Sequence, residues 1–143
     1  MNFLLDTNVL AEWVKPQPEP RVVNWLAEAD EDRLFLSVIS FAEIRRGIDA
    51  LSGGRRRERL AQWLADDLPG RFAGRILDID RSVAEAWGSV TVRSAQSGVP
   101  ISVMDAFLAA TALMHGLTLA TRNARDFRAA GIELFDPWNV AVN

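Results

Sequence analysis

The sequence predicts an α/β fold in which helices cover both faces of an open, parallel sheet of about five strands. Short apolar runs alternate along the chain with longer stretches of helical periodicity. The runs are apolar on both faces, which is typical of strands buried between two helical layers. Repeated alternation of strand and helix favours parallel pairing, because each helix carries the chain back to the same end of the sheet.

Five apolar runs are predicted as strands and seven other segments as helices. The predicted strands are residues 2–5, 34–37, 76–79, 117–121 and 133–135. The predicted helices are residues 7–14, 19–30, 39–51, 55–68, 81–97, 103–115 and 123–130. Two local signals support these bounds, since Asp80 is suited to cap the helix that follows it and Gly116 to end the helix before it.

The composition is that of an ordinary globular protein, and it excludes several kinds of chemistry. The 143 residues, 49% hydrophobic and 24% charged, predict one domain spanning residues 1–143. The absence of cysteine excludes disulfides, thiolate zinc sites and a cysteine nucleophile. Lys15 is the only lysine, so mechanisms that need a lysine elsewhere are excluded. A net charge of −3 provides no overall basic field, so contact with nucleic acid requires local arginines or metal ions.

No targeting or membrane-spanning segment is predicted. The first residues lack a basic stretch, and Asp6 interrupts the opening apolar run. The most apolar stretch, residues 101–120, contains Asp105, His115 and Gly116, which suits a buried helix and strand better than a membrane span. Because no cysteine needs an oxidising compartment, we expect a cytoplasmic protein with no membrane partner.

Four acidic residues are predicted to meet at one edge of the sheet. Open α/β sheets bind their ligands beyond the carboxyl ends of the strands. Asp6 directly follows the first strand, and Glu43 lies near the start of the helix after the second. Asp105 opens the helix before the fourth strand, and Asp126 lies shortly after that strand. We therefore expect residues distant in sequence to share one negatively charged site.

Each acid also has a purely structural explanation. Asp6 is suited to cap a helix, Glu43 to pair with Ser40 in a capping box, and Asp126 to a solvated surface. Asp105 would interact favourably with a helix dipole. Its surroundings nevertheless favour a functional role, because its helix is apolar on nearly every side and offers no lysine or nearby arginine as a partner.

A hard divalent cation would stabilise such a cluster. Two carboxylates about 4 Å apart repel each other by roughly 4 kcal/mol at an effective dielectric constant of about 20. Oxygen ligands without cysteine, and with the single histidine elsewhere, favour Mg²⁺, with Mn²⁺ as a possible substitute, over zinc. The chemistry that follows is metal-assisted hydrolysis of phosphodiester bonds, in which the cation activates water and stabilises the charge of the transition state.

Four stretches of the sequence carry a specific family resemblance. They are residues 4–10 (LLDTNVL), 37–44 (SVISFAEI), 104–112 (MDAFLAATA) and 119–127 (LATRNARDF). In this order and spacing they resemble the PIN-domain ribonucleases, and more narrowly the VapC-type toxins of bacterial toxin–antitoxin systems. The resemblance extends from Asn2 to about Trp138. It implies a three-layer α/β/α fold with strand order 3-2-1-4-5, Mg²⁺-dependent endoribonuclease activity, a homodimer and a cognate antitoxin protein.

The resemblance also assigns roles to residues by position. Asp6, Glu43 and Asp105 match the three central acids of the family, and Asp126 matches the fourth and most variable one. The polar residues that orient the acids or water molecules are matched by Thr7, Asn8, Thr121 and Asn123. The antitoxin is expected to cover the site with a basic or helical segment, one arginine of which would mimic the cation.

Arginines near the predicted site are candidates for binding RNA phosphates. The candidates are Arg45, Arg46, Arg122 and Arg125. The last two are predicted to share one helix face with Arg128, beside Asp126. A solvated basic surface explains this pattern equally well.

Three other functions are compatible with acids at the ends of strands. A receiver-like signalling domain and a haloacid-dehalogenase-like phosphatase both require a late lysine, which is absent here. The phosphatase also requires an aspartate at the position of Asn8. The remaining alternative is a catalytically inactive PIN-like module that only binds RNA or a partner. The intact acids argue against it, because carboxylates repel phosphate without contributing to binding.

Overall fold

A five-stranded parallel sheet forms the centre of the structure, a computed structural model that describes residues 1–139. The strands are β1 (Phe3–Leu5), β2 (Leu34–Ser37), β3 (Ile76–Leu77), β4 (Thr118–Ala120) and β5 (Leu134–Phe135). They pair in the order β3-β2-β1-β4-β5, as predicted. The carboxyl end of β1 therefore lies between those of β2 and β4. The strands begin or end up to two residues inside their predicted bounds.

Seven α-helices accompany the sheet within residues 1–139. They are α1 (Thr7–Ala11), α2 (Pro20–Glu28), α3 (Val38–Asp49), α4 (Arg55–Gln62), α5 (Leu68–Arg71), α6 (Arg81–Gln96) and α7 (Val103–His115). A 3-10 turn, Glu12–Val14, extends α1, and a π-helical segment, Trp63–Asp67, joins α4 to α5. Further 3-10 turns are Glu31–Arg33, Ala124–Phe127 and Pro137–Asn139. No helix in this part of the chain combines the length and hydropathy that crossing a membrane requires.

Both predicted helix ends are confirmed. Asp80 Oδ1 accepts a hydrogen bond from Val83 N–H (2.9 Å) and so caps α6. Gly116 ends α7 in the left-handed conformation (φ 63°), which a residue without Cβ adopts at little cost. The chain can therefore turn directly from α7 into β4.

The two faces of the sheet bury separate hydrophobic cores, because side chains alternate along each strand. Leu5 of β1 faces a core that includes residues of α1, α2 and α5. Leu4, its neighbour, faces the opposite core together with α6 and α7. Each of these leucines is fully buried, and burying one contributes about 1.5–3 kcal/mol. The three-layer α/β/α arrangement is thus confirmed, and it explains why the strands are apolar on both faces.

The predicted helix over residues 123–130 is wrong. Only the 3-10 turn Ala124–Phe127 forms there. Phe127 and Ala130 are both buried in the core beside α7, and the backbone here forms bonds three residues apart, as from Ala130 N–H to the Phe127 carbonyl (3.0 Å), instead of the four of an α-helix. Arg122 precedes this turn, so the prediction that it shares a helix face with Arg125 and Arg128 is also wrong.

Candidate functional site

Asp6 occupies the carboxyl end of the central strand and is held by both of its carboxylate oxygens. Its backbone N–H donates to the carbonyl of Ala120 in β4 (2.9 Å), which continues the pairing of the two strands. Oδ1 accepts from Thr7 N–H (2.6 Å), and Oδ2 accepts from the hydroxyl of Thr121 (2.7 Å). The residue is only 5% exposed. Asp6 does cap α1, but its second oxygen is oriented by a residue 115 positions away.

Thr7 joins Glu43 to this end of the sheet. The Thr7 hydroxyl donates to Glu43 Oε1 (2.7 Å) and lies 2.9 Å from Ser40 Oγ. The capping box predicted for Ser40 and Glu43 is wrong, because Ser37 caps α3 by accepting from Ile39 N–H (3.0 Å). Ser40 is already inside the helix, where its buried hydroxyl supports Thr7 instead.

Asp105 lies in the first turn of α7, as the sequence predicts. Its backbone N–H donates to the hydroxyl oxygen of Ser102, the N-cap of the helix (3.2 Å). The side chain is half-buried. The position of Asp105 in the first helical turn allows a favourable interaction with the helix dipole. The dipole does not remove the repulsion between Asp105 and the other acids.

Burial and the charges of other acids shift the pKa values of Asp6 and Asp105. Burial raises the pKa of Asp6 to about 6; the hydrogen bonds from Thr121 and Thr7 oppose the shift, and the charges of Asp105 and Glu43 add to it. Burial also raises the pKa of Asp105. The hydrogen bond with its N-cap serine opposes this shift, and the charges of Glu43 and Asp126 reinforce it. Among residues 1–139, no lysine, arginine or histidine forms an ion pair with any of the four acids.

Asp126 is the most peripheral of the four acids. It is exposed and lies in the 3-10 turn after β4, where its backbone N–H donates to the Asn123 carbonyl (2.9 Å). Within the described part of the chain, no three acids or histidines are arranged closely enough to hold an ion as they stand. The site is therefore an open group of mutually repelling carboxylates whose oxygens suit a hard divalent cation.

The other polar residues predicted for the site have distinct contacts. Thr7 and Thr121 orient carboxylates directly, as described above. The side-chain oxygen of Asn8 accepts from Arg122 N–H (3.4 Å), and Asn123 N–H donates to Thr121 Oγ1 (3.0 Å). Both asparagines therefore shape the segment after β4.

Two serines that contribute to the site were missed by the sequence analysis. Ser40 supports Thr7, and Ser102 binds Asp105. The spacing Ser102-x-x-Asp105 is a recognisable capping signal, whereas the contact of Ser40 with Thr7 joins residues 33 positions apart and has no local signal.

The candidate arginines differ in how they are held. Arg45 pairs with Asp49 one helical turn further along α3 (2.6 Å), away from the N-terminal end that carries Glu43. Arg46 and Arg125 are exposed. The Arg122 guanidinium lies over the ring of Trp138, 5.4 Å from its centroid. Of the four, Arg122 directly follows a residue that binds the carboxylate of Asp6.

Comparison with known proteins identifies close relatives over nearly the whole chain. The PIN domain pattern matches residues 3–133. Toxin FitB from Neisseria gonorrhoeae is 40% identical over 96% of this chain and 99% of the relative. The VapC ribonuclease Y4jK from Sinorhizobium fredii is 35% identical over 97% and 99%. The crystal structure of FitAcB from Neisseria gonorrhoeae superposes with a TM-score of 0.91 at 39% identity, covering 96% of this chain and 99% of the other.

Proposed function

The chain belongs to the PIN-domain family, and on this premise we propose that it is the toxin of a toxin–antitoxin pair and a Mg²⁺-dependent endoribonuclease. The observation that carries the proposal is the uncompensated charge around Asp6. Asp6 is buried, feels the charges of two acids and has no ion-pair partner among residues 1–139, which is costly unless a cation joins it. The site would thus be completed by a ligand that the polypeptide does not supply.

The donor set fits a hard divalent cation. Each oxygen of Asp6 accepts one hydrogen bond and keeps a second lone pair for another ligand. Asp105, Glu43 and Asp126 supply further carboxylate oxygens, whose mutual repulsion a cation would relieve. Mg²⁺ is the first choice and Mn²⁺ a substitute, because neither requires nitrogen or sulfur ligands.

The residues around the acids prepare the site for phosphodiester hydrolysis. A cation bound there would lower the pKa of a water molecule and neutralise charge on the phosphate. Thr121 and Thr7 fix both oxygens of Asp6 before any ligand arrives. The Thr7 hydroxyl also restrains Glu43, so Thr7 holds one acid through its backbone N–H and another through its side chain.

The family relationship also suggests the biological setting. A protein named as a toxin and a protein named as a ribonuclease are both relatives along almost the full chain. We therefore propose an RNA substrate, a homodimer, a cognate antitoxin that covers the acids, and action in the cytoplasm.

A cleavage assay on defined RNAs tests the proposal. We expect the wild type to cleave RNA with Mg²⁺ and to stop when EDTA is added, while Asp6→Asn and Asp105→Asn cleave nothing. Asp66→Asn, which changes an exposed acid between α4 and α5, serves as the matched control and should cleave normally. Circular dichroism checks that each variant is folded.

Two outcomes would contradict the proposal. Undiminished cleavage by both Asp6→Asn and Asp105→Asn would remove the acidic cluster from the reaction. Binding of RNA by the wild type without any cleavage would instead support the catalytically inactive PIN-like module.

A further inference from the structure

Glu12 is a buried carboxylate that lies outside the acidic site and has no part in the proposed reaction. It follows α1 in the 3-10 turn Glu12–Val14 and is only 2% exposed. Its Oε1 accepts from the backbone N–H of Glu19 (3.0 Å). Its Oε2 is fully buried and, among residues 1–139, forms one ion pair, with the Lys15 ammonium (2.5 Å). Burying this charge costs free energy, which the hydrogen bond from Glu19 and the ion pair with Lys15 offset.

Positive charge keeps Glu12 ionised despite its burial. Burial by itself raises the pKa of the carboxyl. The hydrogen bonds from Lys15 and Glu19, with the positive charges of Lys15 and Arg122, more than offset this and lower the pKa below its usual value. The charge of Arg122 contributes least to this lowering of the pKa, and Arg122 belongs to the segment that follows β4.

A closed chain of contacts links Glu12 with Arg122. The Glu12 carboxylate accepts a hydrogen bond from the backbone N–H of Glu19, the residue directly before α2. Arg21 in α2 donates through Nη1 to the carbonyl of Trp138 (2.9 Å). The guanidinium of Arg122 lies over the ring of Trp138, 5.4 Å from the ring centroid. The chain is completed by the backbone N–H of Arg122, which donates to an asparagine side chain in α1, the helix that precedes Glu12.

We propose that Glu12 is a positioning residue that holds the Arg122 guanidinium over the ring of Trp138, where it binds a phosphate of the RNA. This inference rests on the proposed function and adds a substrate contact to it. Arg122 directly follows Thr121, which binds Asp6, so its backbone is fixed next to the acids. An arginine that is already stacked on an aromatic ring loses less freedom when it binds phosphate. Arg45, in contrast, is occupied by an aspartate of its own helix.

The sign of the effect of Glu12→Gln separates positioning from simple electrostatics. Removing a negative charge near bound RNA should strengthen RNA binding if only the overall field matters. If Glu12 positions Arg122, the same substitution weakens binding instead. We expect KM for a single-stranded RNA to rise roughly three- to tenfold at low salt, with kcat changed less than about twofold, since phosphate contacts affect binding uniformly.

A double-mutant cycle shows whether Glu12 acts through Arg122. Arg122→Gln should raise KM by at least as much as Glu12→Gln, and the double variant should be no worse than Arg122→Gln alone. Glu28→Gln and Arg81→Gln alter exposed residues of the same types and should leave KM unchanged. Should Glu12→Gln not fold, Trp138→Leu interrupts the same chain without changing any charge and should also raise KM.

The possible failures are distinguishable. An active wild type with an unchanged or lowered KM in Glu12→Gln overturns this inference alone, as does a double variant whose effects simply add. If Glu12→Gln does not fold and Trp138→Leu is tested in its place, an unchanged KM in Trp138→Leu also overturns this inference alone. A folded wild type that cleaves no RNA overturns the proposed function, and this inference with it.

Discussion

Replacing Asp6 by asparagine should stabilise the metal-free protein at neutral pH. Burial, together with the charges of Asp105 and Glu43, raises the pKa of Asp6 from 3.8 to about 6. A carboxyl with a raised pKa in the folded state stabilises the fold while it is protonated. That contribution is complete below about pH 3.8 and is lost as the pH rises through about 6, for a total of about 3 kcal/mol.

The size of the effect in an accessible pH range follows from the same values. Between pH 5 and pH 7.5 the free energy of unfolding of the wild type should fall by about 1.4 kcal/mol because of Asp6. Asparagine keeps the shape and can still accept from Thr7, although Thr121 must then accept a hydrogen bond where it now donates one. At pH 7.5 we therefore expect Asp6→Asn to be more stable than the wild type by about 1–3 kcal/mol.

Urea denaturation in EDTA at several pH values between 5 and 7.5 measures this difference. Glu12 and Asp49 have lowered pKa values, so the stability they contribute is lost only when the pH falls below about 4.5, outside this range. The raised pKa of Asp105 affects both proteins in the same direction. Asp66→Asn should parallel the wild type. Parallel curves for wild type and Asp6→Asn, or a less stable Asp6→Asn at pH 7.5, would refute the reasoning.

Two further outcomes are expected from the acidic cluster. Mg²⁺ or Mn²⁺ should raise the melting temperature of the wild type more than that of Asp105→Asn, because a ligand that binds only the folded state stabilises it. Equal shifts of the two melting temperatures would argue against a shared metal site. Expression of the chain alone should arrest growth of a bacterial host, and Glu43→Gln should relieve the arrest. A Glu43→Gln protein that still stopped growth at equal expression would point to toxicity through binding rather than cleavage.

Much of the architecture could be predicted because it depends on periodicity that is local in the sequence. Runs apolar on both faces indicated buried parallel strands, and Leu4 and Leu5 do face opposite cores. The helix predicted after β4 does not form: Phe127 and Ala130 pack into a core built by distant segments, and the backbone there bonds three residues apart. The prediction that Ser40 caps α3 was wrong for a related reason. Ser37, one turn earlier, is the N-cap residue, and the Ser40 hydroxyl contacts Thr7, which is distant in sequence.

The sequence by itself determined which acids lie near the carboxyl edge of the sheet. Asp6 follows a strand and Asp105 begins a helix that leads to a neighbouring strand, and parallel strands end on the same side. Only the tertiary structure decided how the charges are held. The bond of Thr121 to Asp6 and that of Thr7 to Glu43 depend on through-space contacts. Hydrogen bonding and desolvation act over a few ångströms in space, whatever the separation along the chain.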